Sequence, residues 1–383
     1  MHNNSVIKLS KNALAENLKF LSETFGKNVT ISSVVKGNAY GHGIKEFVTI
    51  ANEFGINHFS AFDAEEAKIV YETLGNKVTI MIMGFISDTD LPWAIANGIQ
   101  FYVFEKSRLQ KSIKAAKKIG TKTKIHIEVE TGMNRTGFDK KDLKWVADIL
   151  KLESEYVEFS GLCTHYAGAE SFANFFRVTE QIEKYNQIYQ YFISQDLKPT
   201  IRHTACSAAS MMFPETRMDL VRIGIMQYGL WPSPEVLIKF LNAKKRQIDP
   251  LKRVISWDSE VMSVKKINTG DFVGYGTSYM AAKKMIVAII PIGYSHGYSR
   301  SLSNHGRVLI NGERCMVVGT VNMNMISVDV TDVVNVTKGD RVTLIGTQGE
   351  TSITIASFSD FSNQLNYELL TRIAKSIPRQ IID

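Results

Sequence analysis

Between Val29 and Ile223 the chain repeats one pattern, a short apolar run of β type followed in most cases by an amphipathic stretch. Val29 to Lys36 reads as a strand, and Ile44 to Phe54 as a helix with Ile44, Phe47, Val48 and Ala51 on one face. Further strands are predicted at His58 to Phe62, Val78 to Gly84, Gln100 to Phe104, Lys124 to Glu130, Phe159 to His165, Thr200 to Thr204 and Asp219 to Ile223. Helices are predicted at Ala64 to Leu74, Leu91 to Asn97, Ser107 to Ile119, Leu143 to Leu150 and Phe172 to Ser194. Such alternation requires a parallel sheet with right-handed crossovers. Eight repeats in this length point to a closed (β/α)8 barrel of the TIM type. No Gly-x-Gly-x-x-Gly run follows the first strand, which argues against an open dinucleotide-binding sheet.

The texture changes after Pro250. Val254 to Val264, Met285 to Pro291, Arg307 to Ile310, Cys315 to Thr320, Ile326 to Val330 and Arg341 to Ile345 read as strands, with turns at Asn311-Gly312, Lys338-Gly339-Asp340 and Gln348-Gly349. A short helix is expected around Ile353 to Asn363. The fold class is therefore α/β, an N-terminal barrel over residues 10–245 and a mostly β domain over 246–383. The first strand, 1–9, is expected to pack with the second domain. Trp231-Pro232-Ser233-Pro234 and the basic run beyond it are the boundary candidates.

The net charge of +7 is spread along the chain, and its densest cluster, Lys244-Lys245-Arg246, suits a solvated connector better than a nucleic-acid surface. A basic balance also suits anionic substrates and a phosphate-bearing cofactor. Three widely spaced cysteines, Cys163, Cys206 and Cys315, offer neither a metal-type pair nor a disulfide framework. No apolar signal core follows Met1 to Ser5, and no run approaches the ~18 apolar residues of a membrane span. The expectation is a cytoplasmic protein without membrane or nucleic-acid partners.

Lys36 stands where an apolar strand enters the Gly-rich turn Gly37-Asn38-Ala39-Tyr40-Gly41-His42-Gly43. Two readings fit that position. The lysine can snorkel from a packed strand end, or its amine can have a lowered pKa and form a Schiff base with an aldehyde. Barrels place chemistry at the C-terminal ends of their strands. Arg135, His165, Ser207 and Arg222 also fall on or just beyond predicted strand ends. An arginine inside an apolar strand is too costly to bury unless it is paired or reaches a ligand.

The run Val34-Val35-Lys36-Gly37-Asn38-Ala39-Tyr40-Gly41-His42-Gly43 resembles the cofactor-lysine motif of the alanine racemase family, the fold-type III pyridoxal-phosphate racemases. So do Thr131-Gly132-Met133-x-Arg135-x-Gly137, Thr164-His165, Ser207-Ala208, Val221-Arg222-x-Gly224-Ile225, Pro291-Ile292-Gly293-Tyr294 and Asn366-Tyr367-Glu368. These blocks run in order along nearly the whole chain. The resemblance implies pyridoxal 5'-phosphate held by Lys36, and racemisation of L- and D-alanine with Lys36 and Tyr294 as bases on opposite faces of Cα. His165 and Arg222 would support Tyr294, with Arg222 also facing the pyridine nitrogen. Tyr40, Ser207, Gly224, Ile225 and Tyr367 would hold the phosphate, and Arg135 with the Met323 backbone the substrate carboxylate. The tyrosine would come from the other subunit, so a homodimer is implied, and D-alanine would supply cell-wall synthesis.

Several positions depart from the family pattern. Glu128 replaces a lysine that is often carbamylated, and its carboxylate is a candidate brace for Arg135. Asn134 replaces a common glycine. Ser295-His296 stands for Ala-Asp, and Asn322-Met323-Asn324 for Cys/Ser-Met-Asp. A changed entrance would suit a broad-specificity, serine, lysine or ornithine racemase; neutral drift is the alternative. Fold-type III decarboxylases carry a Cys-Glu-x-x-Asp-type motif that Cys315-Met316-Val317-Val318-Gly319 does not match, and single-barrel cofactor carriers lack the tyrosine block.

Overall fold

The computed structural model describes residues 4–245, 247–356, 358 and 366–383. The chain divides into two compact units. One comprises Ala13–Lys36 and Val48–Lys252; the other comprises Met1–Asn12, Gly37–Phe47 and Arg253–Asp383.

The first unit is the barrel. Strand β1 (Ser5–Ser10) lies outside it. Its eight parallel strands are β2 (Thr30–Val34), β3 (His58–Ala61), β4 (Thr79–Ile82), β5 (Gln100–Val103), β6 (Thr123–Glu128), β7 (Val157–Cys163), β8 (Ile201–His203) and β9 (Leu220–Ile223). They run in the order β8-β7-β6-β5-β4-β3-β2-β9. A parallel bridge between Cys206 and Arg222 closes the ring. All eight predicted strands are present, each within a few residues of its expected ends. Helices Ala64–Leu74 and Lys106–Ile119 carry explicit caps: Asp63 accepts from Glu66 N, and Glu105 from Ser107 N and Arg108 N. Pro232-Ser233-Pro234 opens a helix, Pro234–Lys244, in which Ser233 caps Val236 N and Pro234 occupies the first turn. Aliphatic side chains usually fill a barrel interior, but here Ser32, Ser60, His126, His203 and Arg222 are among the buried strand residues.

The second unit is built on β sheet. Strands β10 (Ile255–Glu260), β11 (Ser263–Ile267), β12 (Met285–Ile290), β13 (Arg307–Ile310), β14 (Glu313–Met316), β15 (Ile326–Asp329), β16 (Arg341–Gln348), β17 (Thr351–Ile353) and β18 (Arg379–Ile382) form two sheets. One has the order β14-β13-β16-β10-β1-β18 with β17 on β16; the other is β11-β12-β15. The single run predicted from Val254 to Val264 is two strands. Val261 N bonds Asp340 O and Met262 N bonds Ile289 O, so the chain passes from one sheet to the other there. The strand expected at Cys315 to Thr320 begins earlier, at Glu313. Asn311 and Gly312 both have positive φ (51° and 84°), a two-residue turn that fixes the β13–β14 register. Of the helix expected at Ile353 to Asn363, Ile353 closes β17, and most of the remainder lies outside the described residues. No helix among the described residues is long and apolar enough to cross a membrane.

Candidate active site

Lys36 follows β2, whose end is clamped. Val34 O accepts from Tyr228 Oη (2.8 Å) and Gln227 Nε2 (3.0 Å), and Gln227 Oε1 accepts from Ser33 Oγ (2.8 Å). Val35 N bonds Ser60 O at 2.9 Å. Lys36 itself is exposed, yet protein atoms crowd its amine. Burial first, then the Arg135 charge, holds its pKa below the ordinary lysine value; Cys206 opposes this, and the smaller effects of Arg222 and Glu66 lower and raise it respectively. The amine has no hydrogen-bond or ion-pair partner among the described residues.

The four residues after Lys36 form a left-handed turn. Gly37, Asn38, Ala39 and Tyr40 have φ of 65°, 55°, 52° and 50°. L-residues resist this conformation by about 1–2 kcal/mol each. Three local hydrogen bonds, Gly41 N to Gly37 O (2.9 Å), Gly43 N to Asn38 O (2.9 Å) and Ile44 N to Asn38 Oδ1 (3.2 Å), and one from a residue distant in sequence, Arg379 Nη2 to Gly41 O (2.8 Å), hold it. Strain of this kind persists where surrounding structure over-determines it, as at functional sites. At Gly41 (φ 80°) an added Cβ would lie 2.0 Å from Leu370 O. Gly41→Ala is expected to destabilise the protein by about 2 kcal/mol or more. An unchanged urea midpoint would contradict this.

Arg222 is buried in β9, with four of its five N–H groups assigned. Nη1 donates to Tyr102 Oη (2.5 Å) and His203 Nδ1 (3.5 Å), and Nη2 to Thr164 O (2.8 Å) and Thr204 O (2.7 Å). The Nε–H has no partner among the described residues. His165 follows β7. Burial, then Arg222, Arg135 and Lys36, depresses its pKa to about 3, so its ring is neutral at ordinary pH.

Arg135 is exposed on a loop organised by Glu130, whose carboxylate accepts from Gly132 N, Met133 N (2.7 Å) and Asn134 N (2.8 Å). Burial raises the Glu130 pKa, but these backbone bonds outweigh it and the net shift is down. Asn134 has φ 57°. Asparagine tolerates that region better than most residues, so it serves where the family pattern has glycine. The proposed brace between Glu128 and Arg135 is not formed as a direct ion pair. Glu128 is buried, which raises its pKa, and the Thr136 hydroxyl and the Arg222 and Arg135 charges oppose that shift in decreasing order. Its effect on Arg135 is through the field alone.

Ser207 opens a short helix, and its hydroxyl accepts from Gly224 N at 3.1 Å; Ile225 starts the turn after β9. The barrel unit thus brings together Lys36, Arg135, His165 and Arg222 electrostatically, and Ser207 with Gly224 directly. The second unit holds Tyr40, Tyr294, Met323 and Tyr367. The Tyr40 and Tyr367 rings meet edge to face at 6.4 Å. Tyr294 is 43% exposed. Its N bonds Asn322 O (3.0 Å), and Ser295 N bonds Met323 O (3.0 Å). Ser295 Oγ reaches Met323 O (2.8 Å) and Asn324 Oδ1 (3.0 Å), and lies 3.3 Å from His296 Nδ1. Ser295 Oγ thus lies within hydrogen-bond reach of the departures at His296 and Asn324, and its single O–H serves one acceptor at a time.

Sequence reasoning missed Tyr102, which takes a hydrogen bond from Arg222, and the buried histidines. Burial is the first cause that lowers the pKa of His42 and His58 to about 4, of His126 to about 3, and of His203 well below 6.5. Unfolded, each would take up a proton below about pH 6.5. The unfolded chain therefore binds more protons, and stability falls as pH drops from about 6.5 toward 4. The slope is roughly 1 kcal/mol per pH unit for each such histidine. Urea midpoints at pH 7.5 and 5.5 test this; equal values would contradict it.

The chain and its fold are similar to those of known proteins. Residues 9–232 match the model for the alanine racemase N-terminal domain, and 254–381 that for the alanine racemase C-terminal domain. An alanine racemase of Leptospira interrogans is 32% identical over 99% of this chain and 96% of its own. The crystal structure of alanine racemase from Bacillus anthracis with bound L-Ala-P superposes with a TM-score of 0.91 at 29% identity, covering 100% of this chain and 96% of that one. A Bartonella henselae alanine racemase with covalently bound pyridoxal phosphate covers all of both chains, with a TM-score of 0.83 at 26% identity. With both domains matched and the strand-end residues in place, the chain belongs to the alanine racemase family and is an amino-acid racemase.

Proposed function

We propose that this enzyme interconverts L- and D-alanine with pyridoxal 5'-phosphate, using Lys36 and Tyr294 as bases on opposite faces of the substrate Cα. The observation that carries the reading is the unpartnered Lys36 amine, held below its ordinary pKa beside Arg135 and Arg222. The residues fit the cofactor on two further counts. The Nε–H of buried Arg222 is a free, permanently charged donor suited to a ring nitrogen. Ser207 Oγ accepts from Gly224 N and keeps its own O–H as a donor suited to a phosphate. Lys36 would hold the cofactor through its amine, with Tyr40, Ser207, Gly224, Ile225 and Tyr367 as phosphate ligands. When bound, pyridoxal phosphate withdraws electrons from the substrate Cα and acidifies its proton.

Lys36, released by the incoming amino acid, would take or return that proton on one face. Tyr294 would do so on the other, and a phenol needs cationic or hydrogen-bonding support for that work. His165 is neutral and can hydrogen-bond the phenol without competing for charge. Arg222 keeps its proton, so it would not transfer one to the ring, which limits side reactions such as transamination. Arg135 and the Met323 backbone would hold the carboxylate. Tyr294, half exposed, would serve the site of a second copy in a homodimer. D-alanine made this way would supply cell-wall synthesis in the cytoplasm.

The contacts of Ser295 with His296 and Asn324 support alanine over a broader substrate range, because these side chains engage one another. Cα proton exchange in D2O with chiral analysis of the product tests this. Alanine is expected to react faster than serine, lysine, arginine or methionine; a faster larger or basic amino acid would overturn the alanine assignment.

A further inference from the structure

We propose that His203 and His126 form a one-way hydrogen-bond relay, ending on Gln100, that orients Arg222 from within the barrel. His203 Nδ1 lies 3.5 Å from Arg222 Nη1, the longest link. His203 Nε2 lies 2.8 Å from His126 Nδ1, and His126 Nε2 lies 2.8 Å from Gln100 Oε1. Both imidazoles are fully buried. Each contact can run in only one sense. An arginine has donors and no acceptor, so His203 Nδ1 must be bare and its proton must sit on Nε2. His203 then donates to His126 Nδ1, which places the His126 proton on Nε2, and Gln100 must present its carbonyl oxygen. The reverse polarity would set a His203 Nδ1–H against an Arg222 N–H.

The relay runs across the barrel. Gln100 opens β5, at the end opposite Lys36, and borders a polar cavity of about 270 Å3 with Tyr71, Asn76, Asn97 and Lys124. The Gln100 amide nitrogen is left for that cavity. Burial is the first cause that opposes protonation of both rings; His126 itself, then Arg222 and His58, oppose it at His203, and His58, then Arg222, at His126. The rings therefore stay neutral, and the polarity persists across the working pH range. Each N–H of Arg222 that is tied down, to Tyr102, His203, Thr164 and Thr204, leaves the guanidinium fewer orientations for its Nε–H. Gln100, His126 and His203 act through Arg222 and are positioning residues. Their effect on turnover rests on the role proposed above for Arg222; the polarity of the relay does not.

The first arm of the test is long-range 1H–15N correlation on 15N-histidine-labelled, pyridoxal-phosphate-loaded protein, with resonances assigned by single His→Asn variants. Both rings are expected to be neutral with the proton on Nε2; a proton on Nδ1 of either ring overturns the relay, whatever the activity. The second arm compares Gln100→Leu, which removes the last acceptor, with Gln100→Glu, which keeps one. In Gln100→Leu, kcat should fall about 10-fold to 100-fold with KM within about twofold, and the visible absorption of the bound cofactor should shift. Gln100→Glu should stay close to wild type in all three. Wild-type kcat and spectrum in a folded, loaded Gln100→Leu protein would overturn the positioning role. If wild-type protein racemises no amino acid, the functional reading fails while the resonances still decide the relay.

Discussion

Lys36→Ala is expected to abolish racemisation, with a loss of at least about 10^4-fold in kcat/KM, because one side chain both holds the cofactor and acts as a base. Two of its physical conditions are met in the folded chain. Val34, two residues earlier, is fixed by Tyr228 and Gln227. The amine sits beside two guanidinium groups that disfavour its charged form. Lys36→Arg should be equally inactive, since a guanidinium is neither a nucleophile nor a base at neutral pH. The variants should remain folded because Lys36 is exposed and makes no hydrogen bond that folding requires. Retained activity with visible cofactor absorption would remove the central assignment.

Tyr294→Phe is expected to lower kcat about 10^2-fold to 10^4-fold in both directions, the range for losing a general acid or base. The cofactor should stay bound, since Lys36 is untouched. The informative readout is isotopic. With only the Lys36 face active, Cα deuterium should still enter one enantiomer without inversion and should no longer enter the other. Equal exchange in both would show that another group serves the second face. Phenylalanine keeps the ring, and the backbone bonds from Tyr294 N and Ser295 N to the 322–323 segment are unaffected. A loss of activity would therefore report the hydroxyl.

The barrel was legible because its strand and helix periods alternate cleanly, and helix Ala64–Leu74 matches its predicted span. The strand-end residues were legible because each stands beside a turn or interrupts an apolar run. What escaped depends on closure in three dimensions. His126, His203 and Gln100 are 77 and 26 residues apart in the pairs that touch, and nothing local marks them. The left-handed turn was hidden because Asn38, Ala39 and Tyr40 are not glycines. Pro232-Ser233-Pro234 looked like a connector, yet Ser233 caps a helix that Pro234 starts. The end of β10 was invisible because Val261 and Met262 continue an apolar run across a change of sheet.

Borohydride reduction of the pyridoxal-phosphate-loaded protein, followed by peptide mass spectrometry, tests the central claim most directly. The predicted result is one phosphopyridoxyl adduct per chain, on the peptide containing Lys36, absent from Lys36→Ala. An adduct on another lysine, or no adduct in protein that racemises alanine, would contradict it.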